Sequence, residues 1–122
     1  MKSFLLVFLG GGLGSGLRYL VASAMNQYSR VLPFGTFTVN MLGCLLIGMI
    51  LGYAQKENTL TSNQTLLLAT GFCGGFTTFS AFANENLELI KNGEILNFSV
   101  YTIGSILVGV LAVFIGFYLT NR

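Results

Sequence analysis

The chain has no histidine, no aspartate and no tryptophan, and it has only one proline and two cysteines. Without histidine or aspartate, most general acid–base pairs, nucleophile–base triads and metal-ligand sets are unavailable. These absences argue against an enzyme. Charge is scarce as well. Only 8% of the residues are charged, against roughly 25% in an ordinary soluble domain. The net charge of +2 is too small and scattered to suggest a nucleic-acid partner. Cys44 and Cys73 stand in apolar stretches with no CxxC spacing, and so read as small buried hydrophobes.

What is present is apolar. Hydrophobic residues make up 53% of 122, more than a soluble chain of this size could hide. A membrane span needs about 20 apolar residues. Residues 3–25, 34–54, 65–89 and 96–119 each qualify. The joints between them are polar: residues 26–30 followed by Pro33, then 55–63, then 91–94. Residues 1–122 therefore read as a single all-α integral membrane domain of four transmembrane helices, with no room for a soluble domain. At the N-terminus, Lys2, the apolar run 4–9 and Ala22-Ser23-Ala24 imitate a signal peptide. Arg18 and the glycines between Gly10 and Gly16 fit that pattern poorly, so the stretch is expected to remain as a span. The same glycines do not form G-x-G-x-x-G after a strand, which excludes a nucleotide-binding reading.

The third stretch contains a polar, glycine-rich interruption, Gly71-Phe72-Cys73-Gly74-Gly75-Phe76-Thr77-Thr78-Phe79-Ser80. Hydrocarbon cannot satisfy backbone groups, so a helix breaks at membrane depth only where protein, water or ions take them over. The interruption predicts a broken third helix and a functional site, since half-helix ends at the midplane can hold ions. Beyond it, Thr78, Ala81, Glu85 and Glu88 fall at helical spacing on one face, with Phe79 and Phe82 beside them. Glu88 is expected at the aqueous interface. Glu85 has two readings, a pathway-lining carboxyl or a second interfacial one. Ring edges are electropositive and can contact an anion. The hydroxyls of Thr77, Thr78 and Ser80 can donate to one.

Elsewhere, Asn40 within the second stretch is either interhelical glue or a ligand for a permeating species. Tyr101 and Ser105, one turn apart in the fourth, are either a helix contact or hydroxyl donors lining a pore. Arg18 either snorkels to the interface or makes an electropositive vestibule. Small residues recur at spacing four: Gly10 and Gly14, Gly12 and Gly16, Gly48 and Gly52, Gly71 and Gly75. Such stripes let helices approach closely, either within one chain or between copies. Basic residues divide evenly, with Lys2, Lys56 and Arg122 on one side and Arg18, Arg30 and Lys91 on the other. A chain without basic bias should insert both ways, which predicts dual topology and an antiparallel homodimer.

Three motifs then carry a family resemblance. Gly10-Gly11-Gly12-Leu13-Gly14-Ser15-Gly16-Leu17-Arg18-Tyr19, Gly35-Thr36-Phe37-Thr38-Val39-Asn40, and the third-stretch motif extended through Ala81-Phe82 resemble the Fluc (CrcB) fluoride channels, in order and through nearly the whole chain. The resemblance implies an antiparallel dual-topology homodimer in a bacterial inner membrane, with two fluoride pores selective against chloride. It implies a structural Na+ on the dimer axis, held by the main-chain carbonyls of Gly74 and Thr77 from both copies. Phe79 and Phe82 would form an aromatic box beside fluoride, with Asn40, Tyr101 and Ser105 as pore residues. Arg18 would be the vestibule arginine, and Thr78, Ser80 and Glu85 would lie on a polar track. Where that family commonly has threonine in the third motif, this chain has Ala81. The missing hydroxyl predicts reduced throughput with selectivity retained. Passive fluoride export is the expected function, with no pump machinery in the chain. The alternative is a small dual-topology, proton-coupled multidrug exporter. That chemistry needs a carboxylate in the first helix, where this chain has none.

Overall fold

The computed structural model describes residues 1–28, 31–56 and 59–122. Among these the chain is helical, with no strand. Four helical stretches are long and apolar enough to cross a membrane: Lys2–Asn26, Phe34–Gln55, Ser62–Lys91 and Ile95–Thr120. Each stretch expected from the sequence lies within one of them, apart from small differences at the ends. The shortest has 22 residues, about 33 Å at the helical rise, and still covers the hydrocarbon thickness of about 30 Å. Arg30, which entered the charge balance, lies outside the described residues.

Local chemistry sets the ends of these helices. Helix α1 (Lys2–Asn26) hands over to α2 (Phe34–Gln55) through Asn26, whose Oδ1 accepts the otherwise orphaned Gly35 N–H at 3.1 Å. Pro33 sits at the N-cap of α2, where its missing N–H costs nothing. The third span opens with a reciprocal cap at helix α3 (Ser62–Thr65): Gln64 N–H donates to Thr61 Oγ1 at 3.2 Å, and Thr61 N–H donates to Gln64 Oε1 at 2.9 Å. It closes on Gly93, whose φ of 74° lets the chain reverse. Gly93 N–H then reaches Ile90 O at 3.0 Å and Glu94 N–H reaches Leu89 O at 2.8 Å, a Schellman ending.

The third span is built in pieces. After α3 the backbone is π-helical over Leu66–Cys73, followed by the short helix α4 (Gly74–Phe76). Thr77 (φ −86°, ψ 160°) and Thr78 (φ −151°, ψ 119°) are extended. Helix α5 (Phe79–Lys91) follows, and α6 (Ile95–Thr120) ends the chain. The π-helical stretch was not anticipated from composition or spacing.

Two helix pairs carry the packing. In the first, α1 lies against the front half of the third span. A Cβ at Gly10 would strike the backbone of Leu67 and Phe72; one at Gly14 would strike Phe72 and Phe76; one at Gly75 would strike Gly11. In the second pair, α2 lies against α6 by the same device. Gly48 and Gly52 meet the backbone of Val113 and Phe117, and Gly116 meets Leu45 and Met49. Three of the four glycine pairs thus serve contacts within one chain. Gly12 and Gly16 meet nothing within 4 Å and face open space. Cys73 is buried, as expected, while Cys44 is only partly so, and both thiols are free. Large apolar side chains such as Leu13, Leu107 and Phe8 point outward, as they do where the solvent is lipid.

Candidate functional site

The site begins where helical bonding stops. In an unbroken helix, Thr78 N–H would donate to the Gly74 carbonyl four residues back. Here it donates instead to Asn40 Oδ1 on α2 at 2.8 Å. Asn40 Nδ2 donates in return to the Thr78 carbonyl at 3.2 Å. Its side-chain amide therefore pairs with the Thr78 backbone as a neighbouring strand would. The Ala81 N–H, the helical donor for the Thr77 carbonyl, is likewise diverted, donating to Thr78 Oγ1 at 3.2 Å as the N-cap of α5. The Gly74 and Thr77 carbonyls are thereby released from the helical pattern.

Further contacts fix the interruption. Thr77 N–H and Thr77 Oγ1 both donate to the Cys73 carbonyl, at 3.0 Å and 2.9 Å. Gly43 on α2 leaves room for the Thr77 methyl. The Gly75 carbonyl accepts from Arg18 Nε at 3.0 Å and from Ser15 Oγ at 3.3 Å, both on α1.

A cavity of about 460 Å³ opens beside this region, and Asn40, Gly74, Thr77, Thr78, Phe79, Phe82 and Ser105 are among its lining residues. Ser105 Oγ is buried and has no hydrogen-bond partner among the described residues, a costly state unless something else supplies one. Rings continue away from the cavity: Phe79 and Phe82 have centroids 5.8 Å apart, and Phe82 and Tyr101 are 5.1 Å apart. At the end of this row the Tyr101 hydroxyl donates to Glu85 Oε1 at 3.4 Å, and Thr36 Oγ1 donates to Glu85 Oε2 at 2.9 Å. Glu85 is turned inward between α2 and α6. Glu88 is exposed, 3.5 Å from Lys91. One residue further on from Glu85 and Tyr101 in both helices, Thr102 Oγ1 donates to Asn86 Oδ1 at 3.2 Å.

Comparison with known proteins bears on this arrangement. The sequence profile of the family described as CrcB-like protein, Camphor Resistance (CrcB), matches residues 5–117. The chain is 47% identical over 122 residues to a protein of Phocaeicola vulgatus named fluoride-specific ion channel FluC, covering 99% of this chain and 100% of that one. It is 43% identical over 123 residues to a protein of that name from Flavobacterium psychrophilum, covering 100% and 99%. A third, from Gloeothece citriformis, is 49% identical over 123 residues, again covering 100% and 99%. The chain belongs to the CrcB family. It is a multi-pass membrane protein, and the three relatives just described are named as ion channels.

Within this CrcB chain, the residues singled out by sequence fall into two groups. Asn40, Thr78, Phe79, Phe82 and Ser105 share the cavity with Gly74 and Thr77. Glu85 and Tyr101 lie together outside it, joined to it through Phe82. Ser80 is exposed, its Oγ 3.1 Å from Thr78 Oγ1. Arg18 stands on the opposite side of the interruption, on the Gly75 carbonyl. The two released carbonyls suit a hard cation, which takes oxygen ligands.

Thr36 and Ser15 were missed. Thr36 stands four residues before Asn40, so one face of α2 carries both, and that spacing was available in the sequence. Ser15 likewise lies three residues before Arg18.

Proposed function

We propose that this chain conducts fluoride passively across a membrane, and does so as an antiparallel homodimer with two pores. The observation that carries the reading is the gathering of Asn40, Thr78, Phe79, Phe82 and Ser105 on one cavity, in a chain whose full-length relatives are named fluoride-specific ion channels.

Fluoride is small and strongly hydrated, so a selective path must replace its water with close donors that still let it go. This chain offers such donors. The Ser105 hydroxyl is unspent. One Asn40 N–H serves Thr78, and an amide nitrogen carries two, so a second remains. Phe79 and Phe82 offer ring edges. Among the described residues, no carboxylate or cationic side chain lines the cavity to repel or trap an anion. Beyond the rings, the Thr36 and Tyr101 hydroxyls around Glu85 continue a polar track, with Ser80 and Thr78 at its other end. Arg18 would add a positive charge from the opposite side of the interruption.

A second copy supports this reading physically. Phe79 is 80% exposed in the single chain, so a ring meant to face an anion lacks an opposing wall. An antiparallel partner would supply one, and the even distribution of basic residues allows it. The carbonyls of Gly74 and Thr77 from both copies would hold a Na+ on the two-fold axis, where it would supply a fixed positive charge tying the two interruptions together. In a bacterial inner membrane the inside-negative potential would drive fluoride outward, with about 2.3 kcal/mol per charge per 100 mV.

Anion efflux from proteoliposomes tests the reading. Rapid fluoride loss with chloride retained, insensitive to a proton gradient, is the expected result. Drug–proton exchange would instead establish the multidrug exporter, and vesicles tight to fluoride would remove the channel.

A further inference from the structure

We infer that Arg18 is a positioning residue that, together with Ser15, clamps the end of α4 through the Gly75 carbonyl and so holds the third span in its interrupted form. The inference concerns the interruption that the proposed function uses, but it rests on the chain's own hydrogen bonds and not on fluoride or sodium.

The last carbonyls of a helix have no helical donors, and hydrocarbon offers no water in their place. α4 ends at Phe76, and the next two residues are extended. Of the carbonyls exposed there, Gly75 receives two side-chain donors from one face of α1. That face is continuous. Gly11, Ser15 and Arg18 follow at spacings of four and three, and the Gly11 backbone lies where a Cβ on Gly75 would stand. Close backbone contact thus brings α1 near enough for the hydroxyl and the guanidinium to reach the same oxygen. A cation at a helix C-terminus also interacts favourably with the helix dipole. The opposite side of the interruption is held separately, by Asn40 on the Thr78 backbone. The extended residues are therefore gripped from two helices: Asn40 fixes where α5 starts, and Arg18 with Ser15 fixes where α4 stops. With Gly75 occupied, the Gly74 and Thr77 carbonyls, both released from the helical pattern, stay open to a ligand.

A steering arginine and a clamping arginine differ in which atom matters. Steering needs the charge. Clamping needs the donor at Nε, three bonds beyond Cβ. Glutamine keeps an N–H donor at that bond count without charge, methionine keeps the length without a donor, and lysine keeps the charge with its nitrogen one bond further out. Amide hydrogen exchange of the full chain in lipid nanodiscs, followed on peptides covering residues 74–82, reads the clamp directly. R18M should exchange about tenfold faster than wild type there, R18Q within about threefold of wild type, and S15A in between. Wild-type exchange in R18M, or R18Q as fast as R18M, would overturn the clamp. Should R18M fail to fold, R18Q against R18K decides: slow exchange in R18Q and fast in R18K supports the clamp, and the reverse order overturns it. Fluoride efflux measured on the same wild-type samples keeps the two readings apart. Absence of efflux would sink the channel while the exchange pattern still judged the clamp.

Discussion

The front and rear halves of the third span are held by different chemistry. The front half, from Ser62 to Phe76, is fixed by shape. Its glycines and those of α1 bring backbone against backbone at Gly10, Gly14, Gly71 and Gly75. Its polar side-chain contacts lie at its two ends, the Thr61 cap and the Gly75 carbonyl. The rear half, Phe79–Lys91, is fixed by named polar groups: Asn40 at its start, Thr36 and Tyr101 on Glu85, and Thr102 on Asn86. Backbone contact tolerates no added atom but is indifferent to chemistry. Polar contact tolerates changes of shape but depends on each donor. The front half therefore sets position, and the rear half presents groups that can act on an ion.

The largest effect expected from this division is in the front half. G14V would push side-chain carbons into the Phe72 carbonyl and the Phe76 amide, which are backbone and cannot swing aside. Overpacking of this kind typically costs about 1–3 kcal/mol and occasionally more. The variant should lose its monodisperse elution in detergent or melt well below wild type. G12A, whose added carbon meets nothing in the chain, should leave the chain's own packing unchanged. A stability loss in G12A would point to a second copy on that face. An unaffected G14V would break the contrast between the halves.

In the rear half a change of similar size should cost function and spare the fold. Phe79 is mostly exposed, so F79I removes a ring without opening a cavity in the core. A ring contact is worth about 0.5–1.5 kcal/mol, and the upper figure corresponds to about tenfold in rate. Fluoride efflux should fall by that order while the melting temperature stays at the wild-type value. Unchanged efflux would take the ring out of the permeation path. Lost stability would mean that the rear half, too, is held by shape.

The sequence was most informative where a single physical requirement governs many residues. Membrane thickness dictates the length of apolar runs, and all four spans were visible for that reason. The glycine spacing announced close helix approach, although whether partner helices belong to one chain or two is not written in a spacing. Only coordinates assigned Gly48 and Gly52 to α6. Polar groups inside apolar runs marked Asn40, Glu85 and Ser105, because each is costly to bury without a partner. Which partner each takes depends on the crossing of helices far apart in sequence. Asn40 had two open readings, and its pairing with the Thr78 backbone makes it helix glue while leaving a donor over. Arg18 read as a surface cation because nothing local to it hints at a carbonyl on another helix. The π-helical stretch had no signal, since its residues would also suit an ordinary helix.

The smallest expected effect sharpens the comparison most, because it adds a group to the rear half and removes nothing. Ala81 lies in the first turn of α5, between Thr78 and Glu85 on one face. Its N–H already caps on Thr78 Oγ1, and a side-chain change leaves that bond in place. Helix propensity gives A81T a penalty of at most about 0.7 kcal/mol, so stability should barely move. If the polar track hands a dehydrated anion from one donor to the next, a hydroxyl at this point shortens the longest gap between Thr78 and the hydroxyls around Glu85. Smoothing that step by about 0.5 kcal/mol corresponds to a rise of about twofold in rate. Efflux from proteoliposomes at matched protein density should show that rise, with discrimination against chloride unchanged. An efflux equal to wild type would mean that conduction is limited elsewhere, at the cavity of Asn40 and the rings, and that the face running from Thr78 to Glu85 is structural like the front half.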